Sequence, residues 1–209
     1  VTVAVNDLAE DEFEIGFTDA AVENADDAMT LALSDVGTAK TDDDAAEYVG
    51  VKVEGIEEMT LQANGTENYA DLSEAADVES LNVAGDADLD VNAVASSLTS
   101  FNASEMSGAL TADLTGSGTL TSVVGGAADD AVTVNMANLS ANTEIEGGEG
   151  ENSLTLEGAG TLKDLSGFQT VDLDGVDDDV VFSGENVEGM ETLVVSDIGS
   201  NTVTLNKLP

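Results

Sequence analysis

The chain has 209 residues, with 44 Asp+Glu against 4 Lys+Arg, a formal charge of −40, and no His, Cys or Trp. Its only side-chain cations are Lys40, Lys52, Lys163 and Lys207. Nucleic acid and anionic membrane surfaces would repel such a chain. The composition also excludes catalysis by His or Cys, and metal sites built on those ligands. No apolar run approaches the roughly 20 residues that a bilayer-spanning helix needs.

In chain order, Val1 to Val5, Glu12 to Phe17 and Ala28 to Leu33 read as strands, the last ended by Ser34-Asp35. The stretch Asp35 to Glu47, with Asp42-Asp43-Asp44, reads as a loop or insertion with a solvated charge run. Residues 1–50 therefore form irregular first coils or a small β segment. From residue 51 to 209 a repeat takes over. Ile56-Glu57-Glu58-Met59-Thr60-Leu61, Val78 to Val83, Leu98 to Ala103, Leu120 to Val123, Phe168 to Leu173 and Met190 to Val195 share one pattern. Each is apolar, two mostly polar residues, apolar, any residue, then usually apolar. The starts fall at 56, 78, 98, 120, 168 and 190, and a weaker copy near Ile145 fills the gap.

A second short strand follows each copy: Leu89 to Val91, Leu110 to Leu114, Val132 to Val134, Leu154 to Leu156, Val180 to Phe182 and Val203 to Leu205. Gly, Asp, Asn and Ser flank these period-2 patches, which is the strand-and-turn signature. Leu72 to Asp77 and Val94 to Leu98 are each long enough for one helical turn at a corner. A fixed period of about 22 residues with two or three short strands predicts an all-β fold, a parallel β-solenoid. Seven such coils, at about 4.8 Å each, make a rod of about 34 Å. Its narrow interior suits a chain with five Phe and two Tyr. The start at Val1 and the end in mid-rhythm at Leu208-Pro209 read as a piece excised from something longer.

Two corners carry candidate chemistry. Gly125-Gly126-Ala127-Ala128-Asp129-Asp130-Ala131-Val132-Thr133 follows Gly-Gly-x-Gly-x-Asp-x-apolar-x, with Ala128 in place of the third Gly. Gly147-Gly148-Glu149-Gly150-Glu151-Asn152-Ser153-Leu154-Thr155 follows it with Asn152 in place of Asp. They lie 22 residues apart, on the same corner of consecutive coils. Looser echoes occur at Gly175 to Val180, with Asp177, Asp178 and Asp179, at Gly199 to Val203 and at Asp26 to Met29. The motif resembles the bacterial RTX nonapeptide family, and the wider repeat resembles bacterial surface-layer proteins and giant RTX-type adhesins. That resemblance implies Ca²⁺ held between coils by Gly125, Ala127, Asp129, Asp130, Gly147, Glu149, Glu151, Asn152, Asp177, Asp178 and Asp179. Glycines turn carbonyl oxygens inward and carboxylates complete a shell of six to eight oxygens. Corner geometry without any ion accounts for the same residues.

The expected function is structural: a Ca²⁺-binding segment of a secreted surface-layer protein at a bacterial cell surface. Its partner would be itself, in a lattice or filament, with cell-surface polysaccharide as a further candidate and no insertion into the membrane. A stalk or ligand-binding module of a large adhesin is the alternative. A carbohydrate-active β-helix enzyme is disfavoured: the chain has no Arg to abstract a proton beside Ca²⁺ and few aromatics to stack on sugar. The sequons at Asn64, Asn102 and Asn138 match glycan acceptors, but chance matches are frequent in an Asn-rich chain.

Overall fold

The structure, a computed structural model, describes residues 1–9, 12–18, 22, 27–41, 44–160, 165–176, 179–183 and 187–207. One nine-stranded sheet runs in the order β1 (Thr2–Asn6), β3 (Ala28–Ser34), β5 (Glu58–Asn64), β7 (Ser80–Gly85), β9 (Ser100–Met106), β11 (Leu120–Val124), β13 (Leu139–Glu146), β15 (Leu165–Ser166) and β18 (Val187–Glu188). A second runs in the order β2 (Glu12–Ile15), β4 (Val49–Val53), β6 (Glu67–Leu72), β8 (Asp88–Val94), β10 (Leu110–Asp113), β12 (Ala131–Asn135), β14 (Ser153–Glu157), β16 (Thr170–Leu173) and β19 (Thr192–Val195). A third pairs β17 (Val180–Ser183) with β20 (Val203–Asn206).

Every strand pairs in parallel with the strand one coil away, never with its neighbour in sequence. This is the predicted parallel β-solenoid. Among the described residues the first sheet takes seven strands from residues 51–209 and two from residues 1–50, and nine strands at the usual spacing make a rod of about 43 Å. Residues 1–50 contribute β1, β2, β3 and the first two residues of β4 to the same two sheets. Inside the stretch that reads as an insertion, Val36 is buried and Thr38 bridges to Glu47; Asp42 and Asp43 lie outside the described residues.

Alternation along each strand turns one side chain in two inward, and register stacks equivalent positions into ladders. On the first sheet Met29, Met59, Leu81, Phe101, Val123, Ile145, Leu165 and Val187 form one continuous column, all buried. On the second sheet Val49, Ala70, Val91, Ala112, Val132, Leu154 and Val171 do the same. Full burial of a Val, Leu, Ile or Phe side chain is worth about 1.5–3 kcal/mol. One coil closes no core, so the ladders form only when coils stack.

The repeat changes side partway along the rod. The copies at 56, 78, 98 and 120, with Ile145, build the first sheet, whereas those at 168 and 190 build the second through β16 and β19. Ser153 pairs with Thr170, a step of 17 residues, where neighbouring steps on that sheet are 20–22. β15 keeps the first sheet going with two residues, and the third sheet then takes the Val180 and Val203 strands. The predicted helical turns are isolated i→i+3 turns: Ala75 N–H donates to Leu72 O, and Leu98 N–H to Ala95 O. Among the described residues the helical element is one 3₁₀ turn, Met136–Asn138, capped by Asn135.

Candidate metal centre

Both Gly-Gly segments join the first sheet to the second, Gly125 to Asp130 between β11 and β12, and Gly147 to Asn152 between β13 and β14. Backbone bonds continue around the corner from coil to coil. Ala127 N–H donates to Met106 O at 3.0 Å, and Glu149 N–H to Gly126 O at 3.0 Å. Glycine is required where these backbones touch. A Cβ on Gly125 would overlap the Gly147 carbonyl, and Gly148, at φ 86°, faces Gly126 O in the same way.

Inside the corner, Asp130 and Asn152 are 2% and 1% exposed. Asp130 Oδ1 accepts from Leu110 N–H at 3.1 Å, and Oδ2 from Gly126 N–H at 2.5 Å. Asp130 N–H donates to Asn152 Oδ1 at 2.8 Å, and Asn152 N–H to Gln169 Oε1 at 2.6 Å. A side-chain ladder therefore runs Leu110, Asp130, Asn152, Gln169, each oxygen satisfying the amide one coil earlier. Burial pushes the Asp130 carboxyl above the usual carboxylate range, against the lowering effect of the Gly126 and Leu110 amides. Asn152 Nδ2 donates to Glu149 O and to Gly167 O, both at 2.9 Å. Two carbonyls that would suit a cation meet an amide NH₂ instead.

As arranged, the buried pair offers little to a Ca²⁺, because the Asn152 NH₂ holds the Glu149 and Gly167 carbonyls and each Asp130 oxygen accepts one backbone N–H. Among the described residues no three acidic side chains converge on one point. Asp129, Glu149 and Glu151 are exposed on the outside of the same corner, and Asp129 Oδ1 accepts from Glu151 N–H at 2.8 Å. They are the carboxylates left to a solvent cation. Asp179 sits apart, leading into β17, where its Oδ1 accepts from Thr202 N–H at 2.7 Å. Asp177, Asp178 and Asp26 lie outside the described residues. The sequon side chains serve the fold: Asn64 and Asn138 donate to carbonyls of other coils, and Asn102 accepts from Ser104 N–H.

A second cluster was not anticipated from the sequence. Tyr48 and Tyr69 meet edge to face at 5.9 Å, the Tyr48 hydroxyl donates to Asp90 at 3.2 Å, and the Tyr69 hydroxyl to Glu67 at 3.0 Å. Burial, with Glu67 beside it, pushes the Tyr69 phenol up to about 12. Burial also raises Asp90, against the Tyr48 hydrogen bond. A groove of about 190 Å³ lies beside them, lined by Glu67, Tyr69, Asp88, Asp90 and Thr111. The signal was in the spacing, since Tyr48, Tyr69, Asp90 and Thr111 follow one another at 21-residue steps.

No protein-family model, curated protein or solved structure matches the chain.

Proposed function

We propose that this chain is a structural β-solenoid segment of a secreted bacterial surface-layer protein, that it assembles with its own kind, and that Ca²⁺ supports it by neutralising exposed carboxylates. The observation that carries this is the stacking of like charge on a self-paired rod. Exposed Glu67 pairs in register with exposed Asp88, and Glu79 stacks on Glu57 through Glu79 N–H to Glu57 O at 2.9 Å. Like charges directly opposite one another destabilise a sheet. Four lysines do not offset them. Lys52 lies 3.6 Å from Glu14 in a partly exposed ion pair, and such a pair contributes little. Cations from the medium are the remaining counter-charge, and a divalent hard cation suits exposed carboxylates best.

Electron microscopy of the chain with and without Ca²⁺ at constant ionic strength tests this. Sheets or filaments in Ca²⁺ alone are expected; dispersed particles in both would overturn it. A second reading, a ligand-binding module of a large adhesin, is favoured by the Tyr48–Tyr69 pair and its acidic groove, which suit a sugar ring and its hydroxyls. Glycan binding abolished by Tyr69→Ala would establish that reading.

A further inference from the structure

The outer surface of the first six strands of the first sheet carries little charge in a molecule of net charge −40, and beyond them β13 and β18 turn Glu144, Glu146 and Glu188 outward. Its central outward column runs Thr2, Thr30, Thr60, Asn82, Asn102 and Val124 in continuous register. Across β1, β3, β5, β7, β9 and β11, the acidic outward side chains are Glu58 and Glu105, and Glu58 is held by Asn82 Nδ2 at 3.2 Å. The same coils of the second sheet turn Glu12, Glu14, Glu67, Asp71, Asp88, Asp90 and Asp113 outward. The contrast has a physical consequence. A chain with four lysines has no basic face to complement its acidic ones, so two copies can meet closely only where neither carries charge.

We infer that this face is a self-association surface, on which a second copy packs face to face about a two-fold axis. The inference rests on the structural, self-assembling reading above and names the surface it uses. Six strands at about 4.8 Å spacing and about 3.3 Å per residue present roughly 600 Å² per copy, so a pair buries on the order of 1,200 Å², the lower end of stable specific interfaces. Small side chains at the centre let the two sheets approach closely, and a two-fold contact needs only one self-complementary patch. Along one edge, Glu57 and Glu79 form an acidic rim that two copies would bring together. Salt or a divalent cation must screen it, so association is strengthened by either.

Sedimentation of the full chain across a concentration series, in about 1 M NaCl without Ca²⁺ and again with Ca²⁺, tests the inference at short screening length. A monomer–dimer equilibrium is expected in both. Thr60→Glu with Asn82→Glu, which sets like charges against each other on the axis, should weaken it at least about 100-fold. Thr133→Glu, on the second sheet, should leave it unchanged. Because the chain has no cysteine, Asn82→Cys supplies an independent readout: oxidation should link copies through Asn82→Cys and not through Thr133→Cys. A monomer at all concentrations, equal crosslinking of both variants, or a monomer that binds glycan on this face overturns the inference. Dimers in about 1 M NaCl together with only dispersed particles in Ca²⁺ at lower, constant ionic strength leave the face standing and count against the calcium reading. Ca²⁺-driven sheets indifferent to Thr60→Glu/Asn82→Glu do the reverse.

Discussion

The backbone N–H of Asp130 donates to Oδ1 of Asn152 at 2.8 Å, across 22 residues of chain and one coil of the rod. Asn152 uses every polar atom of its side chain in this way, because its NH₂ also serves Glu149 O and Gly167 O. Asn152→Ala leaves one buried N–H and two carbonyls short of partners. An unsatisfied buried group costs about 1–3 kcal/mol, so this change should cost about 3 kcal/mol or more in all. Urea unfolding checks it; a loss under 1 kcal/mol would mean that the ladder contributes little.

Asn152→Asp is the sharper probe of calcium. It restores the Asp of the Gly-Gly-x-Gly-x-Asp pattern while turning an oxygen, not an NH₂, toward Glu149 O and Gly167 O. Without metal the variant should melt below the parent chain. With Ca²⁺ the three oxygens gain a cation, and the order should reverse. Calorimetry at constant ionic strength decides, and a variant equally weakened in both conditions speaks against a cation at this corner.

Stability should rise as pH falls from 7 toward 4.5. Burial raises the carboxyls of Asp130 and Asp90 in the folded chain. The folded state therefore holds those protons over a range in which the unfolded chain has lost them. Their contribution is fully present below the unfolded value and is lost as pH climbs through the raised one. Relief of the −40 self-repulsion acts in the same direction. Melting curves across this range at fixed salt should climb on acidification, and a flat or falling trend is the contrary result.

Ser117 is 5% exposed, and among the described residues its Oγ lacks a hydrogen-bond partner. Ser117→Ala removes a desolvated hydroxyl and keeps the shape of the corner. It should stabilise the chain by about 0.5–1 kcal/mol, a gain readable in chemical denaturation. Phe101 lies fully buried in the central column, and Phe101→Ala should cost about 3–5 kcal/mol. Similar stability for the two variants would contradict the ladder as the source of cohesion.

Strand alternation and the 22-residue rhythm were legible because both are short-range or periodic. Leu81, Phe101 and Val123 turn inward whatever sheet they join. The corners were legible too, since Gly125 and Gly148 mark places where backbones nearly touch. The pattern did not reveal that Phe168 had left the side on which Leu98 and Leu120 sit. Apolar-x-x-apolar-x-apolar fits any wall of a solenoid equally well, and the change of side depends on how many residues the preceding corner consumes. Tyr48 and Tyr69 were overlooked for a related reason: an outward column has no apolar signature, only its spacing.

By itself, then, the sequence determined an all-β, parallel-stacked rod with apolar ladders inside and charge outside. Alternation and repetition leave the chain no other way to bury Leu, Val and Phe. Only the tertiary structure decided what Asp130 and Asn152 do, because Leu110, Gly126, Glu149 and Gly167 reach them from other coils through space. It also decided that the charge is uneven. Register, rather than composition, collects Thr30, Thr60, Asn82 and Asn102 into one neutral face on a molecule with 44 acids.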